Sequence, residues 1–422
     1  MRYLKTIILL FLLCVITFFS FSIYTIENER RLLKEDLIEL SKVKYGIFSV
    51  DEWKKILAGI ITKKVNELDF SPSNRGEMRA KISSFLYKVI DDFEARYHKK
   101  KSNSLKGMFE SAMTSMFGAF DTIRKDVPKF TDQILDFIND PANRQAMKEF
   151  VIQKLNEYTD KTFAELDYTT HDEILKRNNF STRENAIEGL TTSINALDEK
   201  SKPYKIIVLI VTIAVILWVF MSKNFSKAEY VLLITISLLL LLTGLMLPMI
   251  EIDARIQSMS FTLLGESIRF SDQVLYYKSK SILEVVWLML QQSRTDVLIV
   301  GILVFVFSVL FPIVKQLASV AYVFRPDLRE NRVVRFMAFK TGKWSMADVM
   351  VIAIFMSYIG FSGIITEQLR QIESIADSIE ILTTNKSSLL TGFFFFTSFA
   401  LFSLSISQKI ELQFRPKHSK QH

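Results

Sequence analysis

Two residues inside an apolar stretch of the chain could do chemistry in a membrane. Pro312 and Lys315 lie near the end of an uncharged run that begins at residue 297. Proline removes a backbone hydrogen bond and bends a helix, and the carbonyl that it frees needs another partner in apolar surroundings. A lysine at the centre of a bilayer costs about 2.5–3.5 kcal/mol on insertion scales. The pair therefore predicts a bent helix that carries a base.

The position of Lys315 along this helix leaves two interpretations open. Counted from residue 297, Lys315 lies about 28 Å along the helix, at roughly 1.5 Å per residue, which is close to one membrane surface. From there its amine can reach the headgroup layer while its stem stays in the apolar layer, and the residue is then an anchor. Alternatively, the bend opens a groove in which Lys315 holds a lipid phosphate.

Three further residues, Lys343, Trp344 and Ser345, come shortly before the next apolar run. Ser345 begins a capping-box pattern, which satisfies free amides at a helix start, and tryptophan is common at membrane interfaces. In that interpretation the roles are structural. In the alternative, Lys343, Trp344 and Ser345 join Lys315 at the same depth of the bilayer. We predict this set as a lipid-headgroup site, with Pro312 as the helix kink.

Other chemistry has little support in the residue types. The four histidines lie in no metal-binding or nucleophile motif. The single cysteine, Cys14, lies in the first apolar run, so neither a disulfide within the chain nor a cysteine-based zinc site can form. We predict no catalytic residues, no metal and no cofactor, and hence no enzyme. Methionine and phenylalanine recur over residues 108–120, where they form either a core or an adaptable groove for lipid.

Hydrophobic residues make up 49% of the 422 residues, and they are concentrated in runs long enough to cross a bilayer. A bilayer core is roughly 30 Å thick and takes about 20 apolar residues in a helix. The qualifying runs are residues 6–24, 206–221, 230–250, 297–311 (with an extension towards 317), 349–365 and 389–406. We interpret the first run as an uncleaved anchor, because it is long for a signal peptide and no clear cleavage site follows.

Basic residues collect in four pieces beside these runs, at residues 1–5, 222–229, 325–344 and 407–422, where they outnumber acidic residues. Cytoplasmic loops of membrane proteins carry such an excess. The same bias accounts for the net charge of +8 without a nucleic-acid partner. We therefore predict that both termini are cytoplasmic and that residues 25–204 lie on the opposite side of the membrane.

The predicted fold is an all-α, polytopic membrane protein with six transmembrane helices. Residues 25–204 carry apolar residues at spacings of three and four, which predicts a large helical extracytoplasmic domain that buries its own core. Around residues 250–270, apolar and charged residues alternate, which predicts a small extracytoplasmic β element. The predicted units are an anchor (1–24), the helical domain (25–204) and a five-helix membrane domain (205–422) that contains the β element.

Several motifs in the membrane half resemble one known family. They are residues 247–248 (Leu-Pro), 261–265, 279–287, the run from 301 to 315 that ends in Pro-x-x-Lys, and the Gly-Lys-Trp-Ser-Met-x-Asp element at 342–348. Together they resemble the paraquat-inducible protein A family over about residues 226–404. The Pro-x-x-Lys and Gly-Lys-Trp-Ser elements, each tied to an apolar run, are the most specific of them.

The resemblance implies a role in lipid handling. Members of the family are inner-membrane partners of mammalian-cell-entry-domain proteins, which form lipid conduits across Gram-negative envelopes. This chain lacks the Cys-x-x-Cys zinc ribbons and the duplicated membrane domain of many members, and it adds the helical domain. We predict an inner-membrane subunit that handles or transfers lipids for envelope maintenance, with membrane lipids and a periplasmic protein as partners. The alternative is a scaffold or sensor whose helical domain binds a protein partner without transport.

Overall fold

The computed structural model describes residues 2–67, 75–95, 124–140, 143, 146–159, 167–222, 224–263, 265–329, 331–340, 347–373 and 380–414. Its helices are α1 (Arg2–Leu40), α2 (Val50–Asn66), α3 (Arg75–Ala95), α4 (124–138), α5 (Met147–Thr159), α6 (Thr169–Arg177), α7 (Arg183–Met221), α8 (Lys227–Met246), α9 (Ile282–Leu290), α10 (Thr295–Phe305), α11 (Phe311–Phe324), α12 (Arg332–Arg335), α13 (Ala347–Glu373) and α14 (Thr391–Phe414). Its strands are β1 (Ile250–Leu263), β2 (Glu266–Lys280), β3 (Glu380–Asn385) and β4 (Ser388–Leu389).

Six helical stretches in these ranges are long and apolar enough to cross a membrane, and they coincide with the six predicted runs. They are α1, α7, α8, the continuous helix formed by α10 and α11, α13 and α14. Local sequence sets some of their starts. Ser226 caps α8 in a reciprocal box with Glu229, which satisfies amides that have no partner within the helix. The prediction of a polytopic, mainly helical membrane protein with a small sheet is confirmed.

Two spanning helices continue well beyond their apolar runs. α1 and α7 are each 39 residues long and pack against each other. Beyond the membrane-length part they share a small apolar cluster in which Leu37 and Leu40 of α1 meet Leu190 and Ile194 of α7. The chain therefore stays helical across residues 24–25 and 204–205, where the sequence predicted boundaries between units.

The sheet is larger than the predicted β element. β1 is its central strand and pairs antiparallel with β2 from Ile250↔Lys280 to Leu263↔Glu266. The connecting turn contains Gly265 with φ +86°, a conformation that favours glycine. β3 and β4 pair with β1 on its other side. The alternating pattern did not predict these two strands, because they are only six and two residues long.

Among the described residues, the helical segment between α1 and α6 shares one core with the sheet. Trp53 of α2 and Ile134 of α4 are buried in one apolar cluster with Ile256 and Phe261 of β1 and Phe270 of β2. The expectation that residues 25–204 bury a core of their own stays a prediction, because residues 68–74, 96–123 and 160–166 lie outside the described ranges. The helices leave an apolar face open, and the apolar face of the sheet covers it, so both elements lose exposed hydrophobic surface together. The methionine and phenylalanine residues at 108–120 lie outside the described ranges.

The spanning helices pack around α8, which contacts α1, α11 and α14. Two glycines permit the close approach of α8 and α14. A Cβ atom on Gly392 would lie 2.3 Å from the Leu247 carbonyl oxygen, and one on Gly244 would lie 2.7 Å from the Phe396 nitrogen. Only glycine fits such separations without a backbone shift.

Contacts gather the described parts of the four basic pieces, or the residues next to them, at one end of this bundle, and the sheet lies at the other end. The joining hydrogen bonds run from Thr6 Oγ1 to Glu229 Oε1 (3.3 Å), from the Phe225 amide to Gln413 Oε1 (3.1 Å) and from Lys227 Nζ to the Phe324 carbonyl (3.5 Å). This arrangement is the one that the predicted orientation requires.

Candidate functional site

Pro312 lies where the fourth spanning helix changes type. Residues Val306–Leu310 form a π-helical turn, and the Phe311 amide donates to the Val306 carbonyl. The next residue, Pro312, is buried at the start of α11. Because proline has no N–H to continue the hydrogen-bond ladder, a π turn just before it leaves fewer carbonyls without partners. The predicted kink residue therefore coincides with a local change of helical register.

Lys315 points into the helix bundle. It is 3% exposed, and its Nζ donates to Ser403 Oγ at 3.0 Å. Gln316 Nε2 donates to the same hydroxyl at 3.1 Å and to Ser237 Oγ at 2.8 Å. The anchor interpretation needs the Lys315 amine at the headgroup layer, whereas packing of α11 against α8 and α14 turns it inward. Lys343, Trp344 and Ser345 lie outside the described residues, so the four-residue headgroup site stays a prediction.

Ser403→Ala tests the buried cluster. The change removes the acceptor shared by Lys315 and Gln316, and the loss of a hydrogen bond costs about 0.5–1.5 kcal/mol, or about 1.5–3 kcal/mol where the donor is charged. We expect a lower thermal unfolding midpoint for the purified full-length protein in detergent. Ser405→Ala is the matched control on the same helix, because Ser405 Oγ donates to the Leu401 carbonyl within its own helix. Equal midpoints for the two variants would contradict a structural role for the cluster.

A cavity of about 320 Å³ lies between α7, α8 and α14, at the end of the bundle that carries the sheet. Its walls are largely apolar and include Leu209 of α7, Leu240 of α8, and Phe394 and Phe395 of α14. Ser398, one turn further along α14, also lines it. Apolar walls at the level of spanning helices suit hydrocarbon chains.

The end of the cavity that lies away from Ser398 is charged. Arg30 Nε lies 2.5 Å from Asp198 Oδ1, and Lys205 Nζ lies 2.5 Å from Glu27 Oε1. Thr391 Oγ1 also donates to Glu27 Oε1 at 3.2 Å. Because the later residue of α1 pairs with the earlier residue of α7, the two helices run antiparallel here. The cavity therefore combines an apolar slot, formed by its apolar walls, with a charge-balanced mouth. The mouth is lined by the pairs Arg30–Asp198 and Glu27–Lys205.

The residues of this cavity carry a signal in the sequence, although the sequence did not predict the site. Glu27 and Arg30 directly follow the first apolar run, and Lys205 directly precedes the second. Charged residues beside a membrane span are ordinary, and nothing local to either run indicates that they meet. The pairing depends on α1 and α7 continuing as helices past the apolar runs, which places charges from both helices at the same height.

Beyond the cavity, α1 is tied to the sheet by buried charges. Glu251, Asp253 and Arg255 alternate along one face of β1, and Arg255 binds Asp253 through two bonds of 2.6 and 2.7 Å. Lys34 of α1 lies 3.2 Å from Glu251 and 3.7 Å from Asp253. Burial opposes the charged form of Arg255, but Asp253 outweighs this and raises its pKa. Burial and then the Glu251 carboxylate raise the pKa of Tyr277, whose hydroxyl donates to Glu251 at 3.2 Å.

The short helix α9 is joined to α1 in the same region. Arg31 Nη1 lies 2.5 Å from Glu284 Oε1, and Ser281 and Glu284 form a capping box at the start of α9. Burial raises the pKa of Glu284, but the Ser281 amide and Arg31 together outweigh burial and lower it. The carboxylate therefore holds the start of α9 and the outer part of α1 together.

Comparison with known proteins identifies one segment of the chain. Residues 274–372 match the family model of paraquat-inducible protein A. The matched segment runs from within β2 to within α13 and contains Pro312 and Lys315, whereas all residues that line the cavity lie outside it. Neither a curated protein nor a solved structure matches the chain. The family model thus confirms the family suggested by the sequence motifs, and this membrane-helix protein carries a paraquat-inducible protein A domain at residues 274–372.

Proposed function

We propose that this protein is an inner-membrane subunit that handles or transfers lipids for maintenance of the cell envelope. The observation that carries the proposal is the cavity between α7, α8 and α14. It joins an apolar slot formed by spanning helices to a charged mouth. A phospholipid has the same division into acyl chains and a charged headgroup. The cavity thus favours lipid handling over a scaffold or sensor without transport.

The proposed orientation places the basic end of the bundle, with both termini, in the cytoplasm. The sheet, the helices α2–α6 and the charged mouth of the cavity are then periplasmic. This places the cavity at the level of the outer leaflet of the inner membrane, from which a lipid can be passed to a periplasmic protein. Mammalian-cell-entry-domain proteins are the partners that the family resemblance implies. The proposed role is transfer of intact lipid, with no bond made or broken.

Ser398→Trp tests the proposed function by filling the cavity. Ser398 lines the slot, so the indole at this position takes space that an acyl chain needs. We expect less phospholipid to co-purify with the full-length protein, measured by mass spectrometry, and a weaker envelope barrier in cells that carry this variant alone. Leu401→Trp is the matched control, because Leu401 lies on the same helix, is 56% exposed and does not line the cavity.

Two results would count against the proposal. One is unchanged lipid retention by Ser398→Trp at equal protein level and equal melting temperature. The other is an equal loss of lipid from Leu401→Trp, because general disturbance of α14 would then account for both variants.

A further inference from the structure

We propose that the mouth of the cavity selects phospholipids whose headgroup carries both a phosphate and an ammonium group. This inference rests on the lipid-handling function proposed above and adds to it the class of headgroup. Its basis is the composition of the mouth, the order of its charges along the two helices, and their access to a ligand.

The mouth contains equal numbers of acids and bases. Glu27 and Asp198 supply the carboxylates, and Arg30 and Lys205 supply the cations. A site for an anionic headgroup needs an excess of cations, because each carboxylate repels the ligand. A headgroup with one negative and one positive group can instead contact both kinds of side chain. Charge complementarity at this mouth therefore favours a zwitterion.

The charges are stacked in two layers that match the order of groups in such a headgroup. Lys205 and Glu27 form the layer next to the apolar slot, and Arg30 and Asp198 form the layer nearer the sheet. Glu27 and Arg30 are three residues apart on α1, and Asp198 and Lys205 are seven apart on α7, so each helix presents its two charges on one face. In an aminophospholipid the phosphate is next to the glycerol and the ammonium is distal.

This order assigns a partner to each group of the lipid. With the acyl chains in the slot, Lys205 approaches the phosphate in the inner layer, and Asp198 meets the ammonium in the outer layer. Charge-assisted hydrogen bonds of this kind are the stronger ones in proteins. Glu27 has two partners, Lys205 and Thr391. Its role in this arrangement is to keep Lys205 in place.

The outer carboxylate and the inner cation are the accessible members of these pairs. The side chains of Asp198 and Lys205 are 39% and 31% exposed, whereas those of Arg30 and Glu27 are 14% and 6% exposed. Arginine and lysine also carry several N–H donors each, so an ion pair with one carboxylate leaves donors for a phosphate. A headgroup can therefore bind without the complete loss of either ion pair.

The test compares phosphatidylethanolamine with phosphatidylglycerol of identical acyl chains, added to delipidated full-length protein and measured by native mass spectrometry. We expect the unsubstituted protein to bind phosphatidylethanolamine with about tenfold higher affinity than phosphatidylglycerol, which is the factor that one charge-assisted hydrogen bond contributes. Asp198→Asn should lower the affinity for phosphatidylethanolamine by a similar factor. Glu199→Gln is the matched control, since Glu199 is the next residue, is 77% exposed and pairs with Lys202 at 3.7 Å.

The affinity of Asp198→Asn for each lipid, measured separately, distinguishes headgroup recognition by Asp198 from a role of Asp198 in holding Arg30. If Asp198 only neutralises Arg30, Asp198→Asn would strengthen or preserve binding of both lipids, and that result would overturn the inference. Equal binding of the two lipids, or preference for phosphatidylglycerol, by the unsubstituted protein would also overturn it. Lys205→Gln should weaken both lipids, because both carry the phosphate, and unchanged binding would contradict the assignment of Lys205.

The cavity-filling variant distinguishes failure of this inference from failure of the proposed function. If Ser398→Trp lowers the binding of both lipids and the unsubstituted protein shows no headgroup preference, lipid handling stands and the inference fails. If the unsubstituted protein binds neither lipid, or if Ser398→Trp changes the binding of neither, the proposed function fails and the inference fails with it.

Discussion

Asp253→Asn is expected to be among the most destabilising single substitutions in this protein. The change removes the negative charge between Arg255, bound at 2.6 and 2.7 Å, and Lys34 at 3.7 Å. Asp253 is fully buried, and Arg255 is 7% exposed. Removing one partner of a buried ion pair leaves an uncompensated charge and costs about 3–5 kcal/mol. The measurement is the thermal unfolding midpoint of the full-length protein in detergent.

An exposed pair of the same geometry is the control for Asp253→Asn. Asp132 binds Arg79 through bonds of 2.6 and 2.9 Å, but both side chains are about half exposed, at 48% and 53%. Solvent screens such a pair, so Asp132→Asn should leave the midpoint nearly unchanged. Adding Arg255→Met to Asp253→Asn should restore part of the loss, because the unpaired guanidinium is gone. A midpoint for Asp253→Asn equal to that of Asp132→Asn would show that the network contributes little.

Trp53→Ala is expected to produce the second large loss of stability, because Trp53 joins the helical segment to the sheet. Its ring lies 5.8 Å from that of Phe261 and 5.4 Å from that of Phe270, measured between centroids. Its Nε1 donates to the Ile47 carbonyl at 2.7 Å. Truncation of a buried tryptophan to alanine costs about 3–5 kcal/mol. The same unfolding midpoint measures the loss.

Two variants make the test of Trp53 specific. Trp53→Phe keeps a ring beside Phe261 and Phe270 but loses the bond to Ile47, so its midpoint should lie between those of Trp53→Ala and the unsubstituted protein. Trp287→Ala is the control, because Trp287 is 63% exposed and its truncation opens no cavity. If Trp53→Ala unfolds with the midpoint of Trp287→Ala, the shared core between helices and sheet does not contribute to stability as the packing indicates.

Part of the candidate site was predictable from sequence, and part was not. Pro312 and Lys315 were singled out because a proline and a base are unusual within an apolar run. The partners of Lys315 were not predictable, since Ser403 and Ser237 lie on other helices. The cavity was missed for the same reason. Glu27, Asp198 and Lys205 are unremarkable beside apolar runs until α1 and α7 bring them together.

The alternating segment of β1 shows the same limit. Alternation predicted a strand with one apolar and one charged face, and the strand is present. A charged face usually meets water, yet Glu251, Asp253 and Arg255 are at most 7% exposed. Lys34 in the outer part of α1 reaches Glu251 and Asp253 as a counter-charge. The strand is a property of the local pattern, whereas the environment of its charged face depends on a helix far away in the chain.

The sequence by itself determined the six apolar runs of membrane length, the presence of a β element and the family of residues 274–372. All of these depend on residues close together in the chain, since about 20 apolar residues suffice for a span and alternation over a few residues suffices for a strand. Only the tertiary structure decided how far α1 and α7 extend, that the helical segment shares its core with the sheet, and that four charges meet above an apolar cavity. These features depend on contacts between distant segments, which form because joint burial of their apolar faces stabilises both.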